Sequence, residues 1–357
     1  TWTAGLFLLL KGIAFFGLVR LLPLRVPDVE RLGVAMLVVA SVIGALGVIE
    51  WLDPGAFQSA MGLPLYDPAR GDVPTIKSIF LHPAQFGWLT AVGSLICFAR
   101  FITHRSWWAL PGALSMSAGT FLSGRRTPLI GVAAAVLLGL AEWSTRIGLR
   151  RAVTRVWLPV ASVALVVTVL TAPALMRLVD ATAHEYGPSI DVTSEVFAEE
   201  PRSDIIAPVH PRIALYAGSL AIARDEFPLG GGIGRFGSHL SREEYSPLYK
   251  QYGLDQVRSL EEVNPQAATD AFWPMVLGET GVIGLLSAMA FFGGMAVVLW
   301  VAASAAAHAR LRTILLAALF IVTEGLIRSA TSSVYVAPPI GYFVLGTAAA
   351  ALAASAT

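Results

Sequence analysis

The stretch that decides the fold is residues 272–301, FWPMVLGETGVIGLLSAMAFFGGMAVVLWV, in which Glu279 is the one charged residue. A helix needs about 20 apolar residues to cross the hydrocarbon core of a bilayer. The stretch is therefore long enough for a transmembrane helix. It is also too long for one straight crossing, so we expect a short helix outside the membrane before the span proper.

Similar apolar stretches recur along the 357-residue chain. Hydrophobic residues make up 55% of it and charged residues 14%, whereas a soluble domain has about 25% charged residues. We predict an all-α fold, a polytopic integral membrane helix bundle, and no soluble enzyme architecture fits this pattern. About nine spans are predicted, near residues 4–22, 32–50, 83–100, 107–123, 127–144, 157–176, 272–301, 313–328 and 335–354.

Basic residues in the connectors predict the orientation, because Lys and Arg are enriched on the cytoplasmic side. Four connectors on one side of the predicted bundle are basic, and they carry Arg20, Arg25 and Arg31; Arg100, His104 and Arg105; Arg146, Arg150, Arg151 and Arg155; and His308, Arg310 and Arg312. The other connectors, 51–82, 123–127, 177–270 and 329–334, then face outward. Residue 1 also falls outside, which predicts a further span upstream.

This topology divides the chain into three segments. Residues 1–176 are the first part of the transmembrane bundle, residues 177–270 are one large, mainly helical extracytoplasmic loop domain, and residues 271–357 are the second part of the bundle. The formal net charge of +1 gives no electrostatic argument for nucleic acid as a partner. A single cysteine, Cys97, allows no internal disulfide, and we predict no metal and no cofactor.

The outward turn Ser123-Gly124-Arg125-Arg126-Thr127 places two arginines at the ends of two predicted spans. Two interpretations stay open. The side chains snorkel to the lipid headgroups, or they form an anion site that faces a cavity, since ionisable groups at membrane depth usually mark function.

The large loop contains an amphipathic segment from Pro211 that predicts a helix, and Pro228 with the glycines after it ends that helix. Residues 232–237, GIGRFG, match G-x-G-x-x-G, but a helix precedes them where a dinucleotide site needs a strand. The turn either presents backbone N–H groups and Arg235 to an anion or is a plain chain reversal. The acidic stretch 184–210 is predicted to be a solvated rim, and its histidines, like His239, are predicted to be surface residues.

Four local motifs resemble the O-antigen ligase and polymerase superfamily of bacterial membrane glycosyltransferases. The similarity extends over about residues 75–300, and the shared order and outward placement of the motifs make it specific. The four are the segment from Phe80 with His82, Pro83 and Gln85; the turn 123–130 with Arg126 at the family's arginine position; Arg212 followed by FPLGGGIGRF at 227–236; and Glu279 with Gly281 and Gly284.

One position departs from the family pattern. Ligases typically carry His-Asn nine and eight residues before the glutamate, where this chain has Asp270 and Ala271. The departure favours a polymerase of repeat units over a ligase that transfers glycan to lipid A core.

The resemblance implies a GT-C-like fold and a metal-independent transfer reaction at the outer face of the bacterial cytoplasmic membrane. The donor would be an undecaprenyl-diphosphate-linked glycan and the acceptor a second glycan, with a chain-length regulator as a further partner. Arg126 and Arg212 would bind the leaving diphosphate, since guanidinium groups pair with phosphate oxygens, and Arg125, Arg235 and His82 would contact substrate.

Two carboxylates are the predicted proton acceptors in that reaction. Asp270 is the first because it replaces the ligase histidine, although Thr269-Asp270 also fits an N-cap of the next helix. Glu279 is the second, or it pairs with an arginine to hold the site. Glu324 and Arg328 stand four residues apart and are predicted to pair with each other.

Two other classes stay open beside an enzyme. A transporter of lipid-linked or small solutes would show internal repeats and paired broken helices, and no convincing repeat is present. A structural membrane partner without catalysis is the third class, and the two outward arginines argue against it.

Overall fold

A computed structural model of the protein describes residues 2–62, 75–147, 210–336 and 339–356. Within these ranges the regular elements are helices and no strand occurs, which confirms the all-α prediction for this part of the chain. The longer helices are α1 (Trp2–Arg20), α2 (Val26–Leu52), α4 (Pro83–His104), α5 (Ala109–Leu122), α6 (Arg126–Ile147), α7 (Pro211–Asp225), α10 (Phe272–Ala305), α11 (Ala309–Ser329) and α12 (Ile340–Ala354). The short ones are α3 (Pro54–Ala60), α8 (His239–Glu243), α9 (Pro247–Gln251) and two 3₁₀ turns, Leu254–Gln256 and Gln266–Thr269.

Four of these helices are long and apolar enough to cross a membrane: Val26–Leu52, Pro83–His104, Arg126–Ser144 and Phe272–Ala305. Helices α5 and α12 are apolar but have 14 and 15 residues, fewer than the roughly 20 that a straight crossing needs. Helix α11 carries four charged residues, Arg310, Arg312, Glu324 and Arg328. The predicted span 157–176 and nearly all of the predicted rim 184–210 lie outside the described residues.

Proline and short polar caps explain where several helices begin. Pro54, Pro83 and Pro211 each lie in the first turn of their helix, where the missing N–H has no intrahelical partner to lose. The Asp53 side chain accepts a hydrogen bond from the Ala56 N–H at 2.9 Å, and His82 caps α4 in the same way.

Helix α10 is interrupted at Gly281, whose φ of 63° and ψ of −161° are not helical. The expectation that this stretch is not one straight helix is confirmed. A residue with a side chain would be strained at this φ, and a Cβ there would also lie 2.2 Å from the Pro228 carbonyl oxygen. The interruption therefore requires glycine.

The chain forms two compact units. The first, which we call the loop unit, comprises Thr1–Leu10, Ser144–Phe291 and Ser329–Val336, and the second, the bundle unit, comprises Lys11–Trp143, Phe292–Arg328 and Ala337–Thr357. The described part of the predicted outer loop, 210–270, belongs to the loop unit. The predicted three-segment division itself stays a prediction.

The loop unit has its own apolar core beneath α7. Leu215 and Ile222 on one face of α7 pack with Phe236, Tyr249 and Leu260. The Tyr249 ring stacks on Phe236 with centroids 5.6 Å apart. This core makes α7 a fixed platform for the residues in its first turn.

In the bundle unit, α4 and α5 pack closely through glycine. A Cβ on Gly93 would lie 3.2 Å from the Met116 sulfur, and one on Gly87 would lie 2.3 Å from the Ser123 hydroxyl. Hydroxyls bond across the same contact, with Thr90 Oγ1 3.0 Å from Thr120 Oγ1. The turn that holds Arg125 is thereby joined to the first turn of α4.

Candidate functional site

Arg212 and Asp270 meet in the loop unit. Arg212 lies in the first turn of α7, and Asp270 lies between the 3₁₀ turn Gln266–Thr269 and α10. Arg212 Nη2 donates to Asp270 Oδ2 at 3.0 Å. The two side chains are 38% and 42% exposed, and an ion pair this open contributes only about 0–1 kcal/mol to stability. The pair is thus accessible to a ligand and is a minor element of stability.

The alternative role of Asp270 as an N-cap does not fit its position. Helix α10 begins at Phe272, so the residue before its first turn is Ala271, and the Asp270 carboxylate bonds to Arg212 instead. The structure places the Asp270 carboxylate beside a cation, Arg212. This geometry does not test the prediction that Asp270 accepts a proton.

His210 belongs to the same cluster, although the sequence pattern predicted a surface residue. It caps α7, with Nδ1 accepting the Arg212 backbone N–H at 3.3 Å. A neutral imidazole that accepts through Nδ1 carries its proton on Nε2 and donates from there. The signal that could have found it is the His-Pro pair at a helix start, which His82-Pro83 repeats.

The segment after α11 supports this cluster from within the loop unit. The Ser333 hydroxyl donates to the Thr269 carbonyl oxygen, and the Tyr335 ring meets Phe272 edge-on at 5.2 Å. Tyr216 on α7 donates to the Ala330 carbonyl oxygen at 2.9 Å. Both sides of the Arg212–Asp270 pair are therefore positioned by residues 330–335.

Glu279 is buried, at 4% exposure, and the glycine turn 232–237 surrounds its carboxylate. Oε1 accepts the Phe236 N–H at 3.1 Å, and the nearby Gly234 and Arg235 N–H groups and Ser238 hydroxyl also stabilise the charge of the carboxylate. Successive N–H groups in such a turn form an anion nest. The anion in this nest is the protein's own glutamate.

Arg235 points away from that nest. Its side chain is exposed, and Nη1 donates to the Gly231 carbonyl oxygen at 3.0 Å. The Gly231 N–H in turn donates to the Gly278 carbonyl oxygen at 2.8 Å, beside the interruption of α10. Glu279 and the backbone of α10 therefore hold the glycine turn in place, and the Arg235 side chain lies on the surface of this turn.

A second cluster lies in the bundle unit, where His82 caps α4. Its Nδ1 accepts the Ala84 N–H at 3.1 Å, and its Nε2 is 3.2 Å from Arg125 Nη2. A neutral imidazole accepts at one nitrogen only, and arginine only donates. With Nδ1 occupied by the cap, the ring and the guanidinium both present N–H groups, an arrangement that suits an anionic oxygen.

The two arginines of the turn 123–127 differ. Arg125 is half-buried and contacts His82, whereas Arg126 is exposed and begins α6. The resemblance assigned the family's arginine to Arg126, and the structure places Arg125 against the helix cap.

Arg328 is a further cation of this cluster, whereas its spacing in the sequence predicted only a pair with Glu324. It is 5% exposed, and its Nη2 donates to the Ala84 carbonyl oxygen at 3.1 Å. Its Nη1 is 3.8 Å from Glu324 Oε1, so the predicted pair forms. Glu324 itself lies against Gly131, where a Cβ would be 2.6 Å from Glu324 Cγ.

Among the residues that the structure describes, no group of three or more His, Cys, Asp or Glu side chains could hold a metal ion. A scan against protein-family models finds no match to this chain, and a search of curated proteins finds no significant match. Membership of the O-antigen ligase and polymerase superfamily therefore stays a prediction that rests on the four motifs.

Proposed function

We propose that this protein is a membrane glycosyltransferase that polymerises undecaprenyl-diphosphate-linked oligosaccharide repeat units. The observation that supports it best is the Arg212–Asp270 pair, with 3.0 Å between Nη2 and Oδ2. Glycosyl transfer from a diphosphate needs a cation for the leaving group and a proton acceptor for the attacking hydroxyl. The pair offers both groups at one exposed point of the loop unit.

The proposed step uses the two members in sequence. The diphosphate draws Arg212 away from Asp270 by bidentate pairing with its phosphate oxygens, which frees the carboxylate. The acceptor hydroxyl then attacks C1 of the donor sugar, and the C1–O bond to the diphosphate breaks with its electron pair leaving on the diphosphate. Asp270 accepts the hydroxyl proton.

The cluster of His82, Arg125 and Arg328 has an electrostatic role in this proposal. The pair of N–H donors on His82 and Arg125 suits a phosphate oxygen, and Arg328 adds positive charge that interacts with Arg125. Within the bundle unit, we propose that this cluster and Arg126 bind an anionic group of a lipid-linked substrate.

The finer topology belongs to the same proposal. We infer nine spans, with the basic connectors in the cytoplasm and the site facing the outside of a bacterial cytoplasmic membrane. A glycan acceptor, the bilayer and a chain-length regulator are the proposed partners.

A transporter is the rival from another class, and the interruption of α10 is the observation that favours it, because transporters bind solutes at broken helices. The backbone at this interruption already has partners. The Gly231 and Gly232 N–H groups donate to the Gly278 and Glu279 carbonyl oxygens at 2.8 and 3.1 Å. A solute would have to displace these bonds, so we favour the enzyme.

Product analysis tests the proposal. The purified protein and its Asp270→Asn and Arg212→Ala variants are given a lipid-linked repeat unit, with and without a lipid A core acceptor. A ladder of growing oligomers is expected from the unaltered protein and from the matched control Arg224→Ala, which removes an exposed arginine from the last turn of the same helix.

The two site variants are expected to give no ladder. One acceptor-dependent adduct in place of a ladder would identify a ligase. Absence of any glycan transfer by the unaltered protein with its native repeat unit would contradict the enzyme and leave transport as the hypothesis.

A further inference from the structure

Residues 226–230 form a turn after α7, which we call the tip. The tip exposes two large apolar side chains. Phe227 is 70% exposed and Leu229 is 66% exposed. The tip is a closed turn, because the Leu229 and Gly230 N–H groups donate to the Glu226 carbonyl oxygen at 3.1 and 2.9 Å. Large exposed apolar patches mark interaction sites, so the surroundings of these two side chains decide what the tip contacts.

This tip is joined to the interruption of α10 by direct backbone contact. A Cβ on Gly281 would lie 2.2 Å from the Pro228 carbonyl oxygen and 2.7 Å from the Leu229 carbonyl carbon. The tip and this part of α10 both belong to the loop unit. Phe227 and Leu229 are therefore held beside residue 281 of that helix.

Beyond Gly281, the same helix carries an exposed apolar face. Ile283, Leu286 and Met289 are between 52% and 60% exposed, and they lie in the helix Phe272–Ala305, one of the four that could cross a membrane. If lipid covers these three residues, the tip lies where the helix leaves the polar part of the loop unit and enters the bilayer.

Helix α7 also carries exposed apolar side chains. Ile213, Tyr216 and Leu220 are exposed, and their spacing of three and four residues puts them on one face of the helix. Tyrosine is characteristic of the membrane–water interface. The polar residues beside the tip carry no net charge, since the exposed side chains of Arg224 and Arg235 are balanced by those of Asp225 and Glu226.

We propose that the Phe227–Leu229 tip, with the Ile213, Tyr216 and Leu220 face of α7, inserts into the lipid interface and sets the depth of the loop unit. The occupant is lipid, because the tip contacts residue 281 of a helix long enough to cross a membrane, and the apolar residues that follow in that helix are exposed. The balanced charge beside the tip predicts that neutral lipid suffices. This inference does not depend on glycosyl transfer.

Depth-dependent quenching in nanodiscs that each hold one copy of the full chain tests the insertion. Cys97→Ser removes the native thiol, and Leu229→Cys then takes an environment-sensitive fluorophore at the tip. Val263→Cys is the matched control, because Val263 is 92% exposed in the same unit and lies between the polar residues Glu262 and Asn264. The discs contain neutral lipid, part of it spin-labelled near the carbonyl level.

We expect the fluorophore at position 229 to be blue-shifted and quenched several-fold more strongly than the one at position 263. Equal, weak quenching at both positions would overturn the proposal. A blue shift at position 229 that occurs only in discs with two copies, without lipid quenching, would assign the tip to a second copy of the chain and would also overturn it.

Unchanged elution of both labelled variants from a sizing column would show that they are folded. A Phe227→Ser and Leu229→Ser double variant provides the second measurement. A fluorophore is attached at Leu220→Cys in this double variant and, for comparison, in the chain with the native tip. We expect the double variant to lose most of the quenching at position 220. Retained quenching would contradict a role for the tip.

Discussion

A histidine–proline pair begins one helix in the bundle unit and one helix in the loop unit. The two pairs have the same local structure, but the charged residues around them differ. His82 in the bundle unit and His210 in the loop unit both accept a backbone N–H through Nδ1, at 3.1 and 3.3 Å. In the loop unit, Arg212 in the first turn of the capped helix pairs with Asp270. The bundle unit sets the histidine beside a second donor, Arg125, with Arg328 close by.

In both units the cap orients the imidazole of the histidine. The charged residues around that imidazole then determine the function that each helix start can have. In the loop unit the cation is compensated by a carboxylate that is open to exchange. In the bundle unit the carboxylate that pairs with Arg328 is Glu324, which is fully buried. The first arrangement suits a step in which partners change, and the second suits a fixed positive potential.

The largest effect is expected from Arg328→Met in the bundle unit. Removing one partner of a buried ion pair typically costs about 3–5 kcal/mol, because the other charge stays buried without its partner. The apparent melting temperature in detergent should fall sharply, whereas Arg212→Ala, which breaks an exposed pair, should change it little.

A double variant provides the control for this prediction. Glu324→Gln combined with Arg328→Met removes both charges and should recover much of the loss. If Arg212→Ala destabilised the protein as strongly as Arg328→Met, the contrast between an open and a buried pair would be wrong.

The next effect concerns activity. If Arg212 binds the leaving diphosphate, Arg212→Ala should lower kcat by about 100-fold or more, the loss usual for one group that stabilises transition-state charge. Arg212→Lys should recover part of it, since lysine keeps the charge and loses the planar fork. Turnover is measured as lipid-linked oligomer formed per minute, and an unchanged kcat would remove Arg212 from the mechanism.

A smaller effect is expected from substitutions of the two capping histidines, His82 and His210. Asparagine is a good N-cap, so His82→Asn and His210→Asn should each retain the helix start, while His→Ala should cost about 1 kcal/mol or less at either position. Only His82→Asn is expected to raise the donor KM several-fold, because asparagine is too short to share an anion with Arg125. Equal KM changes at both positions would mean that the caps do not differ in function.

The smallest effect is a loss of stability of the loop unit above pH 10, which comes from Tyr252. Burial, followed by the hydrogen bond and charge of Asp225, raises the pKa of Tyr252 to about 12, above the value of about 10 for an unperturbed tyrosine. The phenol is neutral in the folded and the unfolded chain below pH 9, so its ionisation contributes no pH dependence there.

Above pH 10 the unfolded chain releases this proton while the folded chain keeps it, so the free energy of unfolding should fall as the pH rises towards 12. Absorbance titration of the phenolate should show a late step that Tyr252→Phe removes.

Much of the helical pattern could be predicted from the chain alone. The stretch 83–100 is within Pro83–His104, and the stretch 127–144 is within Arg126–Ile147. The helix predicted to start at Pro211 ends at Asp225, before Pro228. Runs of apolar residues and proline positions are local signals, and a helix responds to them locally.

The contacts that make up the two clusters were harder to predict. The chain shows two adjacent arginines at 125 and 126, but only the packing of the turn determines which one meets His82. It shows a glycine turn that could hold an anion, and only the fold reveals that Glu279 supplies one. The His-Pro pair at 210–211 signals a helix start but not the arginine beside it, and the i, i+4 spacing of Glu324 and Arg328 does not indicate that Arg328 also donates to the Ala84 carbonyl oxygen.

For the described residues, the sequence by itself determined the helical character, several stretches apolar enough for a membrane and the positions of several helix starts, because these depend on neighbours within a few turns. Only the tertiary structure decided the partners of the charged side chains. Arg212 and Asp270 are separated by 58 residues in the chain, and Arg328 and Ala84 by 244. Which charges meet over such separations depends on how the helices pack, and that is a property of the whole folded unit.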